Sequence, residues 1–281
     1  MRYFLLICAF LLIRCEEKEP ILLDQITVEG QIEEGKFATV YLTNSLPFKG
    51  RIDSVEVAKS IERKAKVVLS NGETSEILTL KRDDSRFPFF FYRSNTIKGE
   101  QVKNYSLSIN IRGKEFISET TIPQKPKILE IFFSDWVDDG VVNSNFKDIN
   151  FLIDNDTEKT TYFKIFIKKE EEDKFVSANP FLLNTENIKA DQFPFKVNYL
   201  DIDEEDENKR INKISAGEVI DLKFVSITKE QFDFWKSTNK ADITTLVNSS
   251  FSSSVSSNIS NGAFGYWSGE NTVSFKFIVP K

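Results

Sequence analysis

After position 24 the chain falls into short runs in which apolar and polar residues alternate, and each run ends in a turn signal. That spacing limits the fold more than any other feature. Alternation with a period of two marks a strand with one face in a core and the other in water. Ile26, Val28, Gly30 and Ile32 alternate with polar residues, and past a turn at Gly35 the residues Phe37, Thr39 and Tyr41 alternate with Ala38, Val40 and Leu42. A strand at residues 65–69 ends in Ser70-Asn71-Gly72-Glu73. Asn-Gly accepts the positive φ of a tight hairpin turn, so residues 76–80 form its return strand. Residues 87–92, 104–112 and 116–122 supply three more strands. About seven strands in some hundred residues is the spacing of an antiparallel sandwich.

Pro123-Gln124-Lys125-Pro126 breaks both ladders and helices and separates a first domain, 25–123, from a second, 127–281. The second domain shows strands at 127–134, 148–153, 160–168 and 218–227. Residues 135–145 read as a polar loop, and the stretch holding Pro180 and Pro194 reads as irregular. One short helix is expected, from Thr228 to about Asn239. Thr228-Lys229-Glu230-Gln231 fits a capping box, in which Gln231 reaches back to the helix start. Residues 262–267 and 272–280 read as a closing hairpin around Ser268-Gly269-Glu270-Asn271, with Gly262 and Gly265 allowing tight backbone approach. The fold class is therefore all-β: two antiparallel β-sandwich domains with one short helix in the second.

The first residues do not follow this pattern. Arg2, an apolar run at 4–13 and an abrupt polar switch form a signal peptide over 1–14. The run is too short to span a bilayer, which takes ~20 residues. Cys15 at the switch is the candidate lipidation site, giving a membrane anchor. Arg14 precedes it, where lipoprotein signals carry a small residue. Glu16, Glu17 and Glu19 lie in an acidic tether, 15–24, which resembles the export signal of surface lipoproteins and otherwise reads as a solvated linker.

Composition excludes several chemistries. Histidine is absent, so Ser-His-Asp and Cys-His activation are unavailable, as is most zinc catalysis. The two cysteines are Cys8 and Cys15, which leaves no disulfide in a processed chain. The net charge of −6 argues against nucleic acid as a partner. Asp154, Asp156 and Glu158 place oxygen ligands at alternating positions and are the candidate metal site, for calcium; otherwise no cofactor is expected. Phe89, Phe90, Phe91 and Tyr92 form a continuous aromatic run. It fits a strand buried on both faces or an exposed partner contact. Trp136, beside acidic residues, is a further candidate contact and could stack on a sugar.

Several segments together carry a resemblance. They are Cys15 with its acidic followers, Ile26-Thr27-Val28-Glu29-Gly30, Phe232-Asp233-Phe234-Trp235, and the stretch from Ser257-Asn258-Ile259 to Gly265-Tyr266-Trp267. This set resembles an outer-membrane lipoprotein family of Bacteroidota type, domain of unknown function 4249, over most of the mature chain. The first half also resembles transthyretin-like or immunoglobulin-like sandwiches, although Arg63-Lys64-Ala65 replaces the usual Pro-Val-x-Gly-Ala. The family implies an outer-membrane protein encoded near TonB-dependent transporters and supplies no catalytic residues. The expected function is a non-enzymatic, surface-exposed accessory binding protein for such a transporter barrel. The alternatives are a carboxylate-based glycan hydrolase and a structural adhesin.

Overall fold

In the computed structural model, residues 26–44, 58–86, 88–138, 140–199, 213–240 and 255–281 are described. The opening alternation folds as its periodicity dictates. β1 (Ile26–Glu33) and β2 (Phe37–Asn44) form an antiparallel hairpin whose apolar positions point inward. β3 (Lys66–Ser70) turns at Asn71-Gly72 into β4 (Ser75–Ile77). The return strand then breaks at Leu78, because β4 belongs to one sheet and β5 (Thr79–Arg82) to the other. β6 (Phe90–Lys98), β7 (Asn104–Ile111) and β8 (Lys114–Thr121) complete the first half. One layer is β4-β3-β7-β8 and the facing layer is β1-β2-β6-β5. Val28, Val40, Leu69 and Ile109 meet between them.

Residues 122–127 cross to the second half as extended chain without a ladder partner. There β9 (Ile128–Asp138), β10 (Val141–Asp154), β11 (Tyr162–Lys169), β12 (Val176–Asn184), β13 (Gln192–Tyr199), β14 (Ile214–Ser215) and β15 (Val219–Ile227) follow. Its two layers are arms of one sheet, ordered β14-β10-β13-β12-β11-β15, with β9 on β10. The arms face each other: the ring of Phe151 on β10 lies 5.6 Å from that of Phe224 on β15. They join through only two residue pairs of β12 and β13, Ala178↔Tyr199 and Asn179↔Asn198.

Two segments read as irregular or as loop are strands. Pro180 falls in a register break between Phe166↔Ser177 and Lys164↔Leu182, and Pro194 lies where β13 has a ladder partner only in β10. Those are the places where a strand tolerates a residue without an N–H. The polar stretch 135–145 is the distal end of the β9–β10 hairpin, turning at Gly140 with φ 79°.

The largest departure concerns the expected closing hairpin. Residues 264–278 form one unbroken strand, β16 (Phe264–Ile278). Its first part pairs in parallel with β1, from Thr27↔Phe264 to Glu33↔Glu270. Its second part pairs antiparallel with β15, from Ser226↔Asn271 to Val219↔Ile278. β16 thus fuses the two sandwiches into a twelve-stranded sheet. It sends Trp267 into the first core, and Phe275 and Phe277 pack on the second. Trp267 is fully buried and donates its Nε1–H to the Tyr105 carbonyl at 3.1 Å.

The turn-like residues Ser268-Gly269-Glu270-Asn271 sit at the changeover, and the described polar side chains there are buried. A buried polar group needs a partner. Glu270 accepts from Lys164 Nζ at 2.7 Å and from Gln231 Nε2 at 2.8 Å. Ser268 donates to Gln231 Oε1 at 2.8 Å. Asn271 Nδ2 donates to Glu34 Oε2 at 2.6 Å and to the Pro123 carbonyl at 3.1 Å. At Gly269 a Cβ would lie 2.4 Å from the Thr121 carbonyl oxygen, so only glycine lets β16 cross β8 this closely. Gly265 meets the same demand against Val28, whereas Gly262 turns in open space at φ 75°.

The helix α1 (Lys229–Lys240) starts where its cap implies. Gln231, however, does not reach back to the cap residue. It is fully buried and serves Glu270 and Ser268 instead. Phe232 is buried and Trp235 half-buried; Trp235 packs edge-on against Phe181 and Phe234.

Lys164 and Glu270 form an ion pair with both side chains almost wholly buried. Removal of one partner from such a pair costs about 3–5 kcal/mol, while joint apolar replacement is far cheaper. Lys164→Met alone is expected to fall in that range in urea unfolding. The double variant Lys164→Met/Glu270→Met is expected to recover at least half of the loss. Additive losses would contradict the coupling.

Candidate functional site

The sequence-derived contact residues separate in space. The aromatic run opens β6, whose neighbours in the sheet are β2 and β5. Successive side chains on a strand alternate faces, so a run of four rings must occupy both. Tyr92 faces the first core, is buried, and accepts the Ala65 N–H at 2.9 Å. Phe91 takes the outer face and is covered by Tyr41 at 5.7 Å and by the Arg86 guanidinium at 5.0 Å. Phe89 and Phe90 are half-buried, with Phe90 held between Arg63 at 5.2 Å and Arg82 at 5.7 Å. The run is therefore a strand covered on both faces. As an exposed partner contact the reading fails for Phe91 and Tyr92, because packing has consumed their rings.

Beyond the run, β6 bulges. Phe37↔Lys98 and Thr39↔Arg93 show two steps on β2 facing five on β6. The Glu76 carboxylate fills this bulge. It accepts the N–H groups of Asn95 at 3.2 Å, Thr96 at 3.0 Å and Ile97 at 3.2 Å, and the Thr96 hydroxyl at 2.5 Å. Burial alone would raise its pKa, but the hydrogen bonds from Thr96, Ser94, Ile97 and Asn95 together hold it below the ordinary 4.5.

Trp136 lies near the end of the β9–β10 hairpin, paired with Asn143. It is half-buried, edge-on to Phe146 at 6.4 Å, and Lys213 Nζ stands 3.9 Å over its ring. That cation covers the face a sugar would use. The exposed groups are its neighbours. Val137 and Val142 are a cross-strand pair, 54% and 61% exposed, and Val141 on the opposite face is 68% exposed. Both faces of the tip are open, so the hairpin projects past the sandwich. Leu129 and Phe132 continue the exposed apolar surface along β9, the outer edge strand. The sequence reading passed over these valines. Their signal was Asp-Gly between short apolar runs, a hairpin signature that the surrounding acids masked.

Asp154 and Asp156 line a cavity of about 340 Å³ beneath the 123–126 crossing. They do not converge with Glu158. Asp154 pairs with Lys127 Nζ at 3.3 Å, and Asp156 accepts the Glu158 N–H at 3.2 Å in a local turn. Among the described residues no three carboxylate, cysteine or histidine groups stand together as metal ligands. Cys15, Glu16, Glu17 and Glu19 lie outside the described residues.

The two stitched sandwiches define an all-β protein. The chain belongs to the family described as "Domain of unknown function (DUF4249)", whose profile matches residues 16–276. No curated protein matches the chain.

Because the folded-state pKa of Glu76 is depressed, its stabilisation is present above pH 4.5 and is lost as pH falls through the lowered value. Glu76→Gln is expected to lower the melting temperature at pH 7 and to flatten the decline between pH 5 and pH 3. An unchanged acid limb would contradict the assignment.

Proposed function

We propose that this chain is a non-enzymatic, surface-exposed outer-membrane lipoprotein that acts as an accessory binding protein for a TonB-dependent transporter. The observation that carries the reading is the projecting β9–β10 tip, with Val137, Val141 and Val142 exposed on both faces. A two-stranded ribbon gains little stability alone, and exposed valines at its end add none in water. A protein partner that covers them supplies the missing burial. In this proposal Cys15 carries the lipid, Glu16, Glu17 and Glu19 direct export, and the fused sandwiches present the tip to the barrel.

The test is a gentle detergent extraction of the full chain tagged after Lys281. A stoichiometric barrel protein is expected to accompany it. Val141→Asp/Val142→Asp is expected to abolish that association without lowering the melting temperature, since both side chains are solvent-exposed. A wild-type protein that extracts alone would overturn the transporter reading. Separately, Cys15→Ala is expected to move the protein out of the membrane fraction, and retention there would refute the anchor.

A further inference from the structure

The chain is acidic overall, yet one groove on it is strongly basic. The groove has a volume of about 650 Å³ on the outer face of the first sandwich and reaches across to β15. Lys36, Arg86, Arg93, Lys98 and Lys223 line it, against the single carboxylate of Glu33. Glu33 is already engaged by Lys36 at 2.6 Å. Among the described residues, Arg93, Lys98 and Lys223 have no carboxylate partner.

These cations are held by rings instead. The β6 bulge brings both Arg93 and Lys98 over Phe37, at 5.3 Å and 5.1 Å. Lys223 Nζ sits 3.8 Å over Phe175. Arg86 lies over Phe91 but also pairs with Asp83 at 2.7 Å, so it adds charge to the groove rather than a free donor set. A cation fixed on an aromatic face keeps its N–H donors unspent, and a guanidinium so held presents two donors to an oxyanion. Burial, followed by the nearby charge of Lys36, holds the Lys223 ammonium below the ordinary lysine value, against the opposing pull of Glu33 and Asp221.

We propose that this groove binds an acidic polysaccharide, one carrying carboxylate or sulfate groups at regular intervals. The cations are spread over β6, the β1–β2 turn and β15, which are separated by four strand spacings of ~4.8 Å each. A single phosphate or sulfate does not reach that far, and a chain of charged units does. Gln31 and Thr39 on the floor offer hydrogen bonds to hydroxyl groups. A peptide would find no free backbone there, because β2 is paired on both sides, with β1 and β6. Nucleic acid would find no stacking platform, since Phe37 and Phe91 already carry cations. The inference stands on the groove alone and does not depend on a transporter partner.

The experiment titrates the mature full-length protein with chondroitin sulfate, hyaluronate, dextran sulfate, neutral dextran and a single-stranded oligonucleotide, at low and high salt. Saturable, salt-sensitive binding of at least one acidic polysaccharide is expected, with none of neutral dextran. Hyaluronate against dextran sulfate separates carboxylate from sulfate recognition. Arg93→Glu/Lys98→Glu is expected to weaken binding at least about tenfold, the loss of two charge-assisted contacts. Lys66→Glu, on the exposed side of β3, changes charge elsewhere and is expected to leave binding within about twofold. Matching circular dichroism melts would establish that the variants fold. Absence of binding to every acidic polysaccharide, indifference to the groove reversal, or binding of the oligonucleotide alone would each overturn the proposal.

Discussion

A strand that passes from one hydrophobic core into another must cross a place where both of its faces are covered. β16 does this at Ser268-Gly269-Glu270-Asn271, and much of the architecture answers to that crossing. β8 closes over one side through the Thr120 hydroxyl, which accepts the Gly269 N–H at 2.7 Å. α1 supplies Gln231, and β11 supplies Lys164. The 123–126 crossing supplies the Pro123 carbonyl. Apolar residues there would meet the same burial with less desolvation. A polar set instead fixes the register in which β16 leaves β1 and joins β15, because a slip of one residue would strand Glu270 without its donors.

Much of the fold was legible because strand periodicity is local. β1, β2, β7 and β15 lie close to where alternation places them, and α1 starts at its cap. Errors arose where a local signal was answered by a distant partner. Ser-Gly-Glu-Asn has the composition of a turn, and nothing nearby in sequence reveals that Lys164, Thr120 and Glu34 wait for it. Gln231 completes a capping pattern locally, but its amide is claimed by Glu270. Pro180 and Pro194 argue against strands until the register break at Pro180 and the one-sided pairing at Pro194 are known.

The sites follow the same division. The aromatic run was legible as a run, and its burial on both faces was one of two readings. The valine tip was hidden among acids. The basic groove left no sequence signature, since its five cations come from the β1–β2 turn, the stretch before β6, β6 itself and β15. Only the bulge filled by Glu76 brings Arg93 and Lys98 to one ring. The proposed ligand surface lies mainly on the first half of the fused sheet and reaches β15, and the proposed partner surface lies at the β9–β10 tip of the second half. A continuous β16 would keep their spacing fixed.

Amide hydrogen exchange across β16 tests that continuity most directly. A strand paired at every residue and buried at its crossing opens only with the whole molecule. The amides of Trp267 through Asn271 should therefore exchange as slowly as those of β1 and β15, and with the same denaturant dependence. Exchange at the rate of the exposed Asn71–Glu73 turn would show a hinge or hairpin at the crossing, and the account of one fused sheet would be wrong.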